Sequence, residues 1–339
     1  MKKYILFYFL FTTFSCQHPK VRTSKALYHW KVNLEISKEK SQQLQNLGIQ
    51  KIYLRYFDID WNSVEQKPIP KGMLSVTNNI IDSIEIIPTI FITNRTFLNI
   101  SKEELFPLVQ KINKAISKTN KYLHNPINEI QFDCDWTGTT QKKYFEFLSL
   151  FKETSTYVIS STIRLHQIKF VEKTGIPPVD KGMLMYYNMG EVKEITTANS
   201  ILDNKIGLEY LSRLKKYPLS LDIALPVYSW AVIFRDGKLI KLINDVSHSD
   251  FDKSKYFKIS KNQYKVLKST FLYGIYLYED DIVRYEAVSK SDLMEAANLL
   301  NQNLSRDDRT ISFYHMDSKL IDQYEIEFLQ KVYHSFNSN

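Results

Sequence analysis

From Leu27 onward, apolar runs of strand length alternate with segments of helix length, and this alternation constrains the fold more than any single residue does. The runs "ALYHWKVNL", "KIYLRYFDIDW", "IEIIPTIFITN", "EIQFDCDW", "YVISSTIRLHQ", "GMLMYYNMG" and "SLDIALPVYSW" read as seven strands before Trp230. Helical patterns separate nearly all of them, near Lys38–Leu47, near Lys102–Ser117, in "QKKYFEFLSLFKE" and near Leu208–Lys216. Strands joined by helices form a parallel sheet, because each connection must return the chain to the same edge of the layer. "WAVIFRDGKLIKLI" then reads as a hairpin turning at Asp236-Gly237, and "FLYGIYLYEDDIVRYEAV" supplies more strand. The helical rhythm resumes at Ser291–Asn301, followed by the strand "TISFYHM" and a last helix from Ser318 to about Phe336. The expected fold is therefore α/β, a (β/α)8 TIM barrel occupying 26–339 as a single domain, with a mainly β insertion at about 231–289 after the seventh strand.

The amino terminus, "MKKYILFYFLFTTFSC", has a basic start at Lys2 and Lys3, an apolar run and then small or polar residues ending at Cys16. That pattern marks residues 1–15 as a signal peptide, too short for a comfortable membrane span. Cys16 after Thr13-Phe14-Ser15 resembles the lipobox of bacterial lipoproteins, so Cys16 is the expected lipidation site and 16–25 a tether to the membrane. The following "QHPKVR" lacks acidic residues. It resembles lipoproteins kept in the cell envelope, on an outer membrane facing the periplasm. With Cys16 acylated, Cys134 has no partner for an intramolecular disulfide, so the fold must rest on its core. Losing Lys2 and Lys3 with the leader takes the formal charge from +8 to +6. No block of like charge marks a nucleic-acid arm, and the expected state is a monomer without nucleic-acid partners.

Strand periodicity says what fills the barrel. In the fourth strand Ile130, Phe132 and Cys134 suit the helix side, which turns Gln131, Asp133 and Asp135 inward. In the fifth, Ile163 and Leu165 face out and Thr162, Arg164 and His166 face in. In the second, Ile52, Leu54 and Tyr56 face out, leaving Tyr53, Arg55 and Phe57 inside. A buried charge needs a partner, so Asp133 is expected to pair with Arg55 or Arg164, leaving Asp135 nearer the rim for a ligand. Polar residues gather at the carboxyl ends of the strands, where barrels place their sites: Asp135, His166, Asn188, Glu191 and Tyr228.

Three stretches together resemble the chitinase-like family of glycoside hydrolases. "QFDCDWT" is similar to that family's fourth-strand D-x-x-D-x-D-x-E signature, "LMYYNMG" to its sixth-strand Met-x-Tyr-Asp motif and "IALPVYSW" to its seventh-strand Leu-Pro-x-Tyr segment. The chain also resembles an uncharacterised family of bacterial exported lipoproteins with "DCDWT", "TIRLHQ" and "YYNMG" segments. The resemblance implies Asp133 and Asp135 as inner carboxylates, Tyr187 as a ligand-facing hydroxyl and Tyr228 at the seventh-strand rim. It departs where chemistry matters. Thr137 stands at the position of the proton-donating Glu, Asn188 at that of the sixth-strand Asp, and Ile130 and Gln131 replace the first Asp and its Gly.

Two functions follow. In the first, the protein is a glycoside hydrolase with a displaced acid: Asp135 works with Glu191, or with Glu279, Asp280 or Asp281, because glycosidic cleavage needs two carboxyl groups flanking the bond. In the second, the barrel binds carbohydrate and has lost catalysis, with Trp61, Trp136 and Trp230 as stacking platforms. Arg164 and His166 beside the aspartates bias the ligand toward an anionic one such as an acidic sugar, and Arg55 is a further candidate for contact with it. A further reading makes Asp58, Asp60, Asp133 and Asp135 cation ligands, but it lacks the backing His cluster, so neither metal nor cofactor is expected.

Overall fold

The computed structural model describes residues 21–78, 84–123, 126–314 and 323–337. Eight strands are arranged in chain order: β1 (Thr23–His29), β2 (Lys51–Asn62), β3 (Glu85–Ile92), β4 (Glu129–Asp133), β5 (Val158–Arg164), β6 (Lys181–Met185), β7 (Leu221–Pro226) and β8 (Arg309–Tyr314). Each pairs in parallel with its sequence neighbour. β1 pairs with both β8 and β2, so the sheet closes into an eight-stranded barrel. The expected (β/α)8 architecture is the observed one.

Helices wrap the barrel because their apolar residues recur on one face. α1 (Lys38–Leu47) begins where Ser37 accepts from the Lys40 amide and ends at Gly48, whose φ of 70° is a left-handed cap. A short α2 (Asn94–Asn99) precedes α3 (Leu105–Asn120), which buries Leu105, Leu108, Val109, Ile112 and Ile116 at helical spacing. α4 (Gln141–Glu153) buries Tyr144, Phe147, Leu148 and Phe151, and Phe132 of β4 meets Phe147 and Phe151 edge-on. After β5 come two short helices, α5 (Leu165–Lys169) and α6 (Val171–Thr174), and α7 (Asn204–Leu211) precedes β7. α8 (Lys290–Asn303) precedes β8, and α9 (Ile326–His334) follows it.

Between β7 and α8 the chain forms a five-stranded antiparallel sheet, in the order Lys238–Asn244, Ser229–Arg235, Ile282–Ala287, Gln263–Val266, Tyr256–Lys258. Its alternation is two-sided. Trp230, Val232 and Phe234 pack into the main core, while Ala231 and Ile233 face a second core with Val266, Leu277 and Val283.

The barrel interior is polar at one end and aromatic at the other. At the amino-terminal end of the strands, Lys181 Nζ lies 2.7 Å from Glu129 and 2.8 Å from Asp222, all three largely buried. Ser160 donates to Glu129 at 2.6 Å, and the Thr310 amide donates to Asp222 at 2.6 Å. Above this plug sit Tyr28, Tyr53, Ile87, Met183, Met185 and Tyr187.

One expectation about the interior fails. Phe57, expected inside, packs outward with Tyr56 in the helix-facing core. The register of β2 against β3 slips between Arg55 and Phe57, and such a bulge reverses the facing of every later residue in the strand.

Candidate active site at the barrel mouth

β4 sends three acceptors up the barrel axis. Gln131 Oε1 accepts from Tyr28 Oη at 2.6 Å, Asp133 Oδ1 accepts from Thr162 Oγ1 at 2.6 Å, and Asp135 lies beyond the strand end at the mouth. Asp133 has a side chain 7% exposed and Asp135 one 60% exposed. Arg164, the last residue of β5, spans both. Its Nε donates to Asp135 Oδ1 at 2.7 Å and its Nη2 lies 3.5 Å from Asp133 Oδ1. Burial pushes the Asp133 carboxyl above its ordinary pKa; the Arg164 charge opposes that shift, and the negative charge of Asp135 adds to it. Burial disfavours the Arg164 charge, but Asp133 and Asp135 outweigh burial and hold the guanidinium more firmly protonated than usual.

Aromatic rings wall the same mouth. Tyr187 is buried, with its ring centroid 5.0 Å from Tyr314 and 5.9 Å from Tyr228. Tyr228 donates to Asn188 Oδ1 at 2.7 Å, and Asn188 itself is exposed with a φ of 56°. Trp30, half-buried after β1, stands 6.0 Å from Tyr314 and lies beneath the Arg55 guanidinium at 5.8 Å. Nothing in their residue types marks Trp30 or Tyr314 out in the sequence. The available signal was position alone, since each ends or follows a barrel strand on its inward-facing register.

Of the two arginines expected near Asp133, the structure chooses Arg164. Arg55 turns to Asp58, with Nε 2.7 Å from Oδ1, and donates Nη1 to the Trp30 carbonyl at 3.2 Å. His166 is not on the strand: β5 stops at Arg164, and His166 is exposed in α5. Its imidazole still flanks the site. Its pKa is lowered, by burial first and then by the Arg164 charge, with Asp135 opposing. Glu191 is exposed, and its carboxylate turns back to accept from the Lys193 amide at 3.1 Å. Among the described residues, the hydrogen-bond partner of the Asp135 carboxylate is Arg164.

The tryptophans expected as platforms are core residues. Trp136 is 2% exposed, donates to the Thr174 carbonyl at 2.9 Å and packs on Tyr144. Trp230 is 8% exposed and donates to Glu286 at 2.9 Å, and Trp61 lies in the main core. An indole at or near a strand end is large enough to be claimed by the core, and here each one is. Asp281 is buried against Arg235 within the antiparallel sheet, and Asp280 pairs with Lys265. The cation-ligand reading meets an electrostatic obstacle. Asp58 is taken by Arg55, Asp60 by Lys71 and Arg95, and Asp133 and Asp135 by Arg164. No cluster of His, Cys, Asp and Glu able to hold a metal occurs among the described residues. Cys16 lies outside them.

Thr137 sits at the mouth where α4 begins. Its carbonyl accepts from the amides of Thr140 and Gln141, and its exposed hydroxyl lies 2.8 Å from Thr139 Oγ1. A hydroxyl there bonds neighbours but cannot protonate a leaving group as a carboxylic acid does.

No family model matches the chain, and no curated protein matches it. Solved structures do. The spore cortex-lytic enzyme SleL of Bacillus cereus superposes with a TM-score of 0.54 at 14% identity, covering 93% of this chain and 75% of that one. A GH18 chitinase of Cycas revoluta in complex with (GlcNAc)4 gives 0.51 at 10% identity, covering 93% and 99%. The chitinase of Chromobacterium violaceum gives 0.50 at 8%, covering 94% and 99%. At such identities the likeness shows the barrel fold, and the site must be argued from its own residues.

Proposed function

We propose that the protein is a cell-envelope lipoprotein whose barrel mouth binds a carbohydrate chain without cleaving it. The observation that carries this reading is the double engagement of Arg164. It engages both inward carboxylates of the mouth, Asp133 and Asp135, while Thr137 stands at the resemblance's proton-donor position. Hydrolysis needs a proton-donating acid at the leaving oxygen, whether a second carboxyl group or the substrate's own N-acetyl group attacks the sugar, and Thr137 cannot be that acid. Binding needs only oriented polar groups and rings, which Asp135, Asn188, Tyr228 and Trp30 supply at the rim. The architecture shared with chitinases supports a sugar ligand. The runner-up is hydrolysis with a displaced acid, favoured by the raised pKa of Asp133 next to an exposed Asp135. On this proposal residues 1–15 are removed, Cys16 is acylated, and the tether at 16–25 holds a monomeric barrel with its β insertion on the periplasmic side of an outer membrane.

Titration with N-acetylglucosamine oligomers tests the reading. The expected result is binding with no reducing ends released, and a loss of about tenfold in affinity in Asp135→Asn, which removes a charged hydrogen-bond acceptor. Release of reducing ends that disappears in Asp135→Asn would establish the hydrolase instead. Fatty-acid labelling of wild type and Cys16→Ser tests the anchor, and equal label in both would refute it.

A further inference from the structure

The hairpin Thr270–Leu272 and Ile275–Leu277 turns through Tyr273 and Gly274, both with positive φ, as a two-residue hairpin loop requires. It sorts its side chains by kind. Leu272 and Leu277 are buried and Ile275 packs against the second core, whereas Phe271, Tyr276 and Tyr278 are 66%, 45% and 52% exposed. The three exposed rings form one row. Phe271 lies directly across from Tyr276 with centroids 5.0 Å apart, and Tyr276 is 5.0 Å from Tyr278. Arg235 sits over Tyr278 at 4.2 Å. A solvated hairpin face is ordinarily polar, and a continuous exposed aromatic face marks a binding surface.

Charge selects the occupant. Arg235 is paired in bidentate fashion with Asp281 at 2.8 Å and Lys265 with Asp280 at 2.8 Å, and because the hairpin segment 265–281 sets Lys265 and Lys268 against Glu279, Asp280 and Asp281, no positive excess gathers there. Such a patch has no field to attract nucleic acid or anionic lipid. It offers apolar ring faces fringed by polar groups, which complements a ligand with apolar faces and hydroxyl edges. Position agrees. At the hairpin tip Tyr273 donates to Asp250 at 3.1 Å, and it lines a cleft of about 1250 Å³ that is also lined by Tyr228 of the barrel mouth.

We propose that the row Phe271, Tyr276 and Tyr278 is a second carbohydrate contact, which grips an uncharged glycan chain extending from the barrel mouth. The inference rests on the reading of the mouth as a sugar site and adds that the ligand is a polymer, not a short oligosaccharide or an acidic one.

Chitin beads, an uncharged polymer, and (GlcNAc)4 separate the two contacts. In a triple variant, Phe271→Ser, Tyr276→Ser and Tyr278→Ser, the exposed positions leave the fold intact, checked by an unchanged urea midpoint. The expected result is about tenfold weaker adsorption to chitin, with tetrasaccharide affinity equal to wild type. Asp135→Asn should do the reverse to the tetrasaccharide. The proposal is overturned if wild type ignores chitin, if the triple variant adsorbs as tightly as wild type, or if the variant loses only binding to phospholipid vesicles or self-association. If no tetrasaccharide binding is found while chitin adsorption still falls in the triple variant, the mouth reading fails and the hairpin contact stands.

Discussion

Arg164 reaches from the end of β5 to the turn after β4, placing its Nε 2.7 Å from Asp135 Oδ1. The same guanidinium leans on Asp133 from 3.5 Å, so one cation ties a buried carboxylate to an exposed one. This relationship sets the stability of the mouth and its chemistry together. Whatever polarises Arg164 is felt by both aspartates.

Replacing Arg164 with Met should destabilise the fold by about 3 kcal/mol, because Asp133 is left buried with Thr162 as its remaining hydrogen-bond donor. Asp133→Asn should cost only about 1 kcal/mol. Burial already disfavours the Asp133 charge, and Arg164 keeps Asp135. Urea unfolding at neutral pH measures both, and the double variant should recover part of the Arg164→Met loss. Strict additivity would mean that the two side chains are not coupled.

The plug beneath the site has its own pH signature. Burial raises the Glu129 pKa, opposed first by the Lys181 charge, so the folded state resists ionising this group. The stability linked to a raised carboxyl pKa is fully present below the unfolded value and is lost as pH rises through the folded one. Lys181→Met removes the main opposing charge, which should raise the folded pKa further and cost about 3–5 kcal/mol at neutral pH. The gap from wild type should narrow as pH falls below the unfolded glutamate range. Melting curves across the acid limb give the answer, and a constant gap would contradict the assignment.

The sequence made much of this architecture legible because strand alternation is a strong signal wherever both faces are buried. Alternation alone puts Gln131, Asp133 and Asp135 in a single inward row, and Ile130, Phe132 and Cys134 do enter the helix-facing core. What was not legible had local causes. The bulge in β2 between Arg55 and Phe57 reverses the facing of the residues beyond it, and no composition signal announces a bulge. β5 ends at Arg164, two residues before His166, because Leu165 starts a helix whose Gln167 side chain accepts from the Arg164 amide. Trp136 and Trp230 are buried although their positions suit a platform, because an indole at a strand end serves a core equally well and tertiary packing alone decides which. The buried Glu129, Lys181 and Asp222 come from three strands far apart in the chain, so their meeting depends on barrel closure.

Asp60 should govern stability in the opposite direction on acidification. Burial alone would raise its pKa, but hydrogen bonds from Arg95, Lys71 and Thr93 outweigh burial and hold the carboxyl well below the usual range. A depressed pKa contributes stability above the unfolded value, lost as pH falls toward the folded one. Asp60→Asn should therefore lower the melting temperature at neutral pH and have little effect at strongly acid pH. A deficit that persists unchanged into acid would show that Asp60 acts through shape and not charge.

The mouth also depends on a buried pair in the antiparallel sheet. Arg284 and Glu286 have fully buried side chains, with Arg284 Nε donating to Glu286 Oε1 at 2.5 Å. Together they fasten the loop after β6. Arg284 donates to the carbonyls of Glu194 and Val192, the latter at 3.0 Å, and Glu286 accepts from the Ser200 amide at 2.7 Å and the Ser200 hydroxyl at 2.6 Å. The far end of that loop is joined to the mouth, because the Asn188 amide donates to the Ile201 carbonyl and the Asn188 side chain receives Tyr228. Arg284→Met removes the clamp and leaves Glu286 without its cation, at a cost of about 3–5 kcal/mol. Because Asn188 and Tyr228 depend on the same loop, oligosaccharide affinity should fall with it, although the hydrogen-bond partners of Arg284 are Glu286 and the Glu194 and Val192 carbonyls. Hydrogen exchange should show faster exchange concentrated in residues 191–201 in the variant. If exchange rises evenly over the whole chain and the protein that remains folded binds sugar as tightly as wild type, the pair stabilises the sheet alone and plays no part in shaping the site.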